Sequence, residues 1–389
     1  MTESEIKKMI SCGEDSRMQF KRQFDSASAL AAEIVAFANS LGGVIIVGVD
    51  DNGTIVGLTD GNVRNFNQFL SSACSQKIEP ALQVLTQNII VDDKLIVVLE
   101  VPRGNNKFNI ANGADVWVKY GADKRRAKRE DMQRLLQESC NLFADEQPLE
   151  GSTLSELDKD KYLPFLKKRL EGEIQPEAAP SFLCALKAAN RTGEVTLGGL
   201  LLFGYSHSER LRLFGIGAVA WYGIDLAGND FRDSEDIFGS VRKLYADGMA
   251  FIKRQLRKVQ AHPNFNYEGV MEIPDDALQE ALVNAIVHRN YFVQGKIRVM
   301  VFDNRVEIIS PGALPNSLDV DSIKLGMHIP RNPVLVSCIR DIDGIPYRGM
   351  GTGIARIIRA CAEQGVPVDF INEIEINQFK VIFHRKQLD

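Results

Sequence analysis

The chain has 389 residues, 45% hydrophobic and 25% charged, enough for two or three domains with ordinary cores. A net charge of −5 excludes a protein coated in basic residues; no apolar run is long enough to span a membrane, and the polar first eleven residues lack the apolar stretch of a signal peptide. The six cysteines, at 12, 74, 140, 184, 338 and 361, form no Cys-x-x-Cys pair and have no histidine cluster beside them, which argues against structural zinc and disulfides and for a reducing cytoplasm.

Taken in chain order, residues 1–145 open with a polar stretch and a short strand at 18–22. An alanine-rich helix over 27–39 ends at Leu41-Gly42-Gly43, and the apolar run 44–49 predicts a buried strand. Asp51-Asn52-Gly53 predicts a hairpin turn with a return strand at 54–58. A helix over 65–75, strands at 82–86, 88–91, 95–101 and 115–120, and a closing amphipathic helix over 131–140 follow. Residues 144–155 read as an acidic linker. The middle segment of 146–265 predicts a helix at 158–170, a buried strand-like run at 200–203, a strand at 216–222 and a helix over 237–260. It shows no chemical motif and is expected to pack on the last segment and extend its sheet.

The last segment, 266–389, carries the chemistry. Pro274-Asp275-Asp276 starts a helix, and Glu280, Asn284 and His288 recur every fourth residue on it, stacking three polar tips in one line. Leu278, Ala281, Leu282, Ala285 and Ile286 hold the core stripe. A polar line on such a helix is costly to bury unless something pairs with it, either protein groups or a hydrated metal ion carrying a phosphate. A hairpin over 297–310, a loop-rich stretch over 311–330, a helix start at Arg331-Asn332-Pro333, the glycine run 348–353 opening a helix, and a final strand at 380–384 complete the chain.

Four motifs in order carry a resemblance. Glu280 to Tyr291, Ser310 to Pro315, Arg331 to Pro333 and Arg348 to Arg356 resemble the GHKL ATPase fold in its divergent branch among bacterial predicted transcriptional regulators. The resemblance covers the last third of the chain. It implies bound ATP and Mg²⁺, with Glu280 polarising the attacking water of a weak ATPase and Asn284 holding the metal. It implies Gly349, Gly351, Thr352 and Gly353 around the phosphates, with His288 and Gly312 also in the nucleotide site. Ser310 stands where such proteins carry an acid that reads the adenine amino group, so looser base selection is expected.

Glu14, Gln19-Phe20-Lys21, Ala36 to Gly43, Val47 to Gly53 and Val56-Gly57-Leu58 resemble a Schlafen-type AlbA-like domain over the first third. Such domains are linked to nucleic-acid binding, and nuclease-active ones hold metal on three carboxylates. Two of these match Glu14 and Asp50; Gln19 stands at the third and leaves the site one charge short, so binding is expected rather than cleavage. Glu14 and Asp50 also read simply as a cap and a turn residue. The basic run Lys119, Lys124, Arg125, Arg126, Lys128 and Arg129, with Lys21, is the candidate phosphate contact, or else a solvated turn balanced by Glu130 and Asp131.

The expected fold is thus α+β multidomain: an AlbA/Schlafen-like α/β domain, a middle α/β segment, and a GHKL (Bergerat-type) α/β sandwich. The expected function is a cytoplasmic bacterial transcriptional regulator, a homodimer without membrane attachment, that binds DNA or RNA at one end and a nucleotide at the other. The alternative is a metal-dependent ribonuclease with a nucleotide-sensing domain, for which phage defence is one setting. No Gly-x-x-x-x-Gly-Lys-Ser/Thr loop is present to support helicase action, and no winged helix is recognisable.

Overall fold

The computed structural model describes residues 2–104, 108–139, 142–225, 230–260, 269–315, 318–349 and 351–385. Cys140 and Met350 lie outside these. The chain divides into two compact units, Met1–Leu142 and Phe143–Asp389.

The first unit opens with α1 (Glu3–Cys12), where the sequence predicts only a polar stretch. Its start is a capping box: the Thr2 hydroxyl accepts from the Glu5 N–H, and the Glu5 carboxylate accepts from the Thr2 N–H. β1 (Met18–Lys21), α2 (Ala27–Ala38) and β2 (Gly43–Val47) follow, then α3 (Asp60–Ser72) running into a π-helical turn at Ala73–Lys77. The turn at 51–53 forms, but the return strand does not; it reduces to one bridge between Val49 and Ile55. Gly57, at φ 83°, takes the chain out of line with β2 directly afterwards.

β3 (Ile78–Glu79), β4 (Leu85–Val91), β5 (Lys94–Val101), β6 (Ile110–Ala111), β7 (Trp117–Tyr120), β8 (Asp123–Arg126) and α4 (Arg129–Glu138) complete the unit. The two strands expected at 82–86 and 88–91 are the single β4. The main sheet has the order β1-β2-β5-β4, with β1 parallel to β2 and the rest antiparallel. Alternation places Ile45, Val47, Val97 and Leu99 on one face against Leu30, Ile34 and Phe37 of α2. The other face presents Phe20, Ile46, Val91 and Val98 to Ile6 of α1.

The second unit begins with α5 (Lys159–Leu170), α6 (Ala179–Ala185) and α7 (Leu197–Phe203). The last is a correction, since the apolar run 200–203 reads as a strand. It is a wholly buried helix started by Thr196, whose hydroxyl accepts from the Gly199 N–H. A short apolar run buried on all sides has no periodicity to separate helix from strand. β9 (Ile216–Trp221) and β10 (Phe231–Ile237) form an antiparallel pair, so the helix expected from 237 starts later, as α8 (Val241–Gln255). Then come β11 (Lys258–Val259), β12 (Val270–Met271), α9 (Asp275–His288), β13 (Ile297–Val301), β14 (Arg305–Pro311), α10 (Val320–Lys324) and α11 (Pro333–Cys338). α12 (Gly353–Gln364), β15 (Val368–Glu373) and β16 (Gln378–His384) end the unit. α10 is a short helix within the stretch read as loop; Asp319 caps it by accepting from the Ser322 N–H.

Six strands form one sheet in the order β10-β9-β13-β14-β16-β15. Every pair is antiparallel except β9 with β13, which is parallel. The middle segment therefore supplies two strands of the sheet that carries the last segment. Leu244 and Phe251 of α8, Leu278, Leu282 and Ile286 of α9 and Ile357 of α12 share one core with Val299, Val301, Ile308 and Phe383 of the sheet. Met300, Phe302 and Ile309 point to the other face, where Trp221 packs against them. No described helix is long and apolar enough to cross a membrane.

Candidate functional site

α9 carries the polar line. Glu280, Asn284 and His288 all line one cavity of about 1030 Å³, mouth included, between α9, β14, β16, the 311–331 segment and the 347–357 segment. Ser310, Gly312, Gly349, Gly351 and Gly353 line it as well. Thr352, at the N-terminal boundary of α12, is not among the described lining residues.

The acid end is tightly packed. Glu280 is 7% exposed; one carboxylate oxygen takes the Arg356 guanidinium at 2.6 Å and the other accepts from the Asn284 amide at 3.3 Å. Burial raises the Glu280 pKa, and Arg356 opposes that shift. Gly353 has an ordinary backbone; its reason for being glycine is room, because a Cβ there would stand 2.0 Å from the Glu280 carboxylate. Gly351, at φ 71°, packs on the 326–328 turn: its absent Cβ would lie 2.6 Å from the Gly326 carbonyl. The glycine run thus lies against both the acid and the segment that covers the cavity.

The floor comes from the sheet. Ile308 and Ser310 on β14 stand beside Val381 and Phe379 on β16. The Ser310 hydroxyl donates to the Ala285 carbonyl at 3.1 Å. At the far end of α9, His288 Nε2 lies 3.4 Å from the Tyr347 hydroxyl, and its ring stands edge-on to His328. Loss of hydration, aided by His328 and Arg331, lowers the His288 pKa to about 4, so the ring is neutral. Arg331 donates to the carbonyls of His288 and Ala313.

The other motif residues brace this helix end. The Asn332 side chain donates to the carbonyls of Val287 and Arg289 at 2.8 and 2.9 Å, and the Tyr291 hydroxyl donates to that of Ile286 at 2.9 Å. Buried Arg289 stacks over Phe214 and Tyr291 and donates to the carbonyls of Val293 and Gly295. Sequence reasoning missed Arg356, Tyr347, His328 and Arg331 as cavity residues. Two of them had a signal: Arg331 opens the Arg331–Pro333 motif, and Arg356 is the arginine three residues after Gly353 on the same helix.

In the first unit, the Glu14 carboxylate accepts from the Phe20 N–H at 2.6 Å and from the Gln19 amide at 3.1 Å. The Gln19 carbonyl oxygen receives the Lys119 ammonium at 2.5 Å, and that ammonium also donates to the Ala122 carbonyl and lies over the Phe37 ring. Burial lowers the Lys119 pKa, against the pull of Glu33 and Glu14. Lys124 pairs with buried Glu33 at 2.5 Å. Asp50 belongs to the 50–54 turn, where its carboxylate accepts from the Asp51 N–H; Asp51 lies 3.8 Å from Lys21. Glu14 and Asp50 enter different networks, and the described residues contain no group of three His, Cys, Asp or Glu able to hold a metal.

The basic run divides by exposure. Lys119 is buried, while Lys124 and Arg125 are half-buried. Arg125 lies over the Tyr120 ring at 3.7 Å and pairs with Asp131 at 3.2 Å. Arg126, Lys128 and Arg129 are exposed, and Arg126 pairs with Asp115 at 3.2 Å.

With this geometry in place, two family models match separate parts of the chain. Residues 14–128 match "Schlafen, AlbA_2", and residues 294–383 match "Putative ATP-dependent DNA helicase recG C-terminal". The chain is therefore mixed α+β, with an N-terminal part similar to nucleic-acid-related domains and a C-terminal part similar to ATPase-type domains. No curated protein matches it. Among solved structures, the DIP2311 protein from Corynebacterium diphtheriae is 18% identical, over 99% of this chain and 69% of that one, with a TM-score of 0.47. The N-terminal domain of a "Putative ATP-dependent DNA Helicase RecG-related Protein" from Nitrosomonas europaea is 25% identical, over 33% of this chain and 93% of that one, with a TM-score of 0.26. Both superpositions are loose, and the functional reading rests on the site's own geometry.

Proposed function

We propose that the second unit binds a nucleoside triphosphate with Mg²⁺, that the first binds nucleic acid, and that the chain acts as a nucleotide-responsive regulator. The observation that carries this reading is the convergence of Glu280, Asn284 and the glycine run on one cavity. The residues fit the group. The missing Cβ atoms of Gly353 and Gly351 let the loop backbone lie against the Glu280 carboxylate and the Gly326 carbonyl, and glycine backbone lining the cavity can approach phosphate oxygens. Asn284 turns its amide nitrogen to Glu280, leaving its oxygen to face a hard cation that keeps most of its waters. Bound Mg²⁺ would offset phosphate charge. Glu280 would orient and deprotonate a water, and its burial favours that by raising its basicity. The Arg356 pair opposes it, because both carboxylate oxygens are occupied as long as that pair is closed. Binding with slow hydrolysis is the behaviour this arrangement supports.

Isothermal calorimetry with Mg-ATP tests the reading. The intact chain should bind, and Asn284→Ala should weaken Mg-dependent binding about tenfold or more, as expected when a metal ligand is removed. Silence of the unaltered chain towards ATP, ADP and GTP at millimolar concentration would sink it. A regulatory role is supported by the exposed basic residues Arg126, Lys128 and Arg129 in the same chain as this cavity.

A further inference from the structure

We propose that β15 is a self-pairing edge: two copies of this chain join antiparallel along it, centred on Phe370, and the six-stranded sheet continues from one copy into the other.

The sheet ends in β10 on one side and β15 on the other, and the two edges differ. β10 reads Phe-Arg-Asp-Ser-Glu-Asp-Ile, mostly charged, and its register against β9 shifts between Phe231 and Asp233. Charge and irregularity are what keep an edge strand from pairing with another chain. β15 reads Val-Asp-Phe-Ile-Asn-Glu and pairs with β16 residue for residue, without a shift. It exposes Ile371, and the turn beyond it exposes Ile374 and Ile376.

The free backbone groups of β15 can be assigned. The His384 N–H donates to the carbonyl of Pro367, which lies opposite it, so these two form a hydrogen-bonded pair. Antiparallel pairs alternate between bonded and non-bonded. Asp369, Ile371 and Glu373 therefore bond β16, and the N–H and C=O groups of Val368, Phe370 and Asn372 point away from it. The Arg385 N–H, next along β16, turns the other way to the Asn304 carbonyl, as the same alternation requires. Among the described residues, no other segment forms a backbone bond with the outward groups of β15.

Charge says what fits them. In a twofold pairing of β15 with itself, outward residues must face outward residues, so the axis passes through Asp369, Phe370 or Ile371 if most of the strand is to pair. Centred on Asp369, that carboxylate faces its own counterpart. Centred on Ile371, Asp369 faces Glu373. Centred on Phe370, Asp369 faces Ile371 and Val368 faces Asn372, and no acid meets an acid. The same register sets the two Ile371 side chains diagonally across the junction, where they shield one another from water. Asp369 keeps its own partner, His384, at 2.7 Å. The strand thus admits one pairing with itself and rejects the neighbouring ones. The homodimer expected from the sequence gains a surface.

Sedimentation velocity of the full chain from about 1 to about 100 µM, the range in which small interfaces associate, is the test. The unaltered chain should pass from monomer to dimer. Ile371 is exposed on its own copy, so its variants spare the core, and an unchanged melting temperature shows each one folded. Ile371→Asp sets like charges opposite each other twice across the axis and should weaken the dimer about tenfold or more. Ile371→Lys sets an ammonium opposite Asp369 of the second copy and should keep the dimer or tighten it. Amide hydrogen exchange at Val368, Phe370 and Asn372 should slow as the dimer forms. A chain that stays monomeric throughout, or a dimer indifferent to Ile371→Asp, overturns the proposal. Equal weakening by both substitutions overturns it as well, since that places Ile371 against its own counterpart.

Discussion

Asp145 is fully buried near the start of the second unit, where one carboxylate oxygen accepts from the Leu335 N–H at 3.0 Å at the beginning of α11. Burial raises its pKa to about 7, against the pull of that backbone bond. The sign follows from which state holds the proton. Between the ordinary value of 3.8 and about 7, the folded chain keeps a proton that the unfolded chain has released, so stability falls as pH rises through that window and then levels. Asp145→Asn keeps the acceptor and removes the titration. Its stability relative to the unaltered chain should climb between pH 4 and pH 7, by about 4 kcal/mol at most, and stay level above. Thermal melts of both proteins across that range are the check; a difference that does not change with pH would show that Asp145 is not the group responsible. At this scale the Glu280, Asn284 and His288 line was legible because helical spacing alone sets it. Arg356 as the partner of Glu280 was not, because the rotation of α12 against α9 is a tertiary outcome. Lys119 was misjudged for a similar reason: a lysine in a basic run looks solvated until the fold places Gln19 and Phe37 around it.

The junction of the glycine run with α12 is the tightest point of the cavity. Gly353→Ala needs no unusual backbone, and as the first residue of α12 the position gains little from helix propensity. The added methyl would nevertheless collide with the Glu280 carboxylate. The expected result is a lowered melting temperature, because the buried Glu280–Arg356 pair must shift, together with Mg-ATP binding weakened at least tenfold; binding at full strength with an unchanged melting temperature would show that α12 can shift away freely. Among elements, α2, α9, β2, β13 and β14 were legible from periodicity and flanking turns. α1 had its signal, Thr2-x-x-Glu5, but its composition is so polar that the cap is easily passed over together with the helix it starts. β10 and β15 were not recognised: the first reads Phe-Arg-Asp-Ser-Glu-Asp-Ile, and pairing with β9 overrides its poor strand propensity. α7 failed in the opposite sense, since an unbroken apolar run fits either state.

On the scale of the molecule, each unit has its own core, and the candidate nucleic-acid contacts lie in the first. Since Lys119 is buried and Lys124 and Arg125 are half-buried, the exposed Arg126, Lys128 and Arg129 should meet the phosphates. Reversing those three to glutamate should weaken binding alike across nucleic-acid sequences. The slope of log affinity against log salt should shrink by about 0.7–0.9 for each phosphate no longer neutralised. Filter binding at several salt concentrations measures both; an unchanged slope would return the run to the role of a solvated turn. The parallel pairing of β9 with β13 also bears on synthesis. β9 gains β10 on one side almost at once, but its other edge waits for β13, about eighty residues later. At ~5–20 residues per second, that is roughly 4–16 s on the ribosome. Throughout that interval Ile216 to Trp221 presents an open row of backbone donors and acceptors, an invitation to any neighbouring nascent chain. The strand that ties the middle of the chain to the sheet beneath the cavity is therefore also an edge at which misassembly during translation can begin.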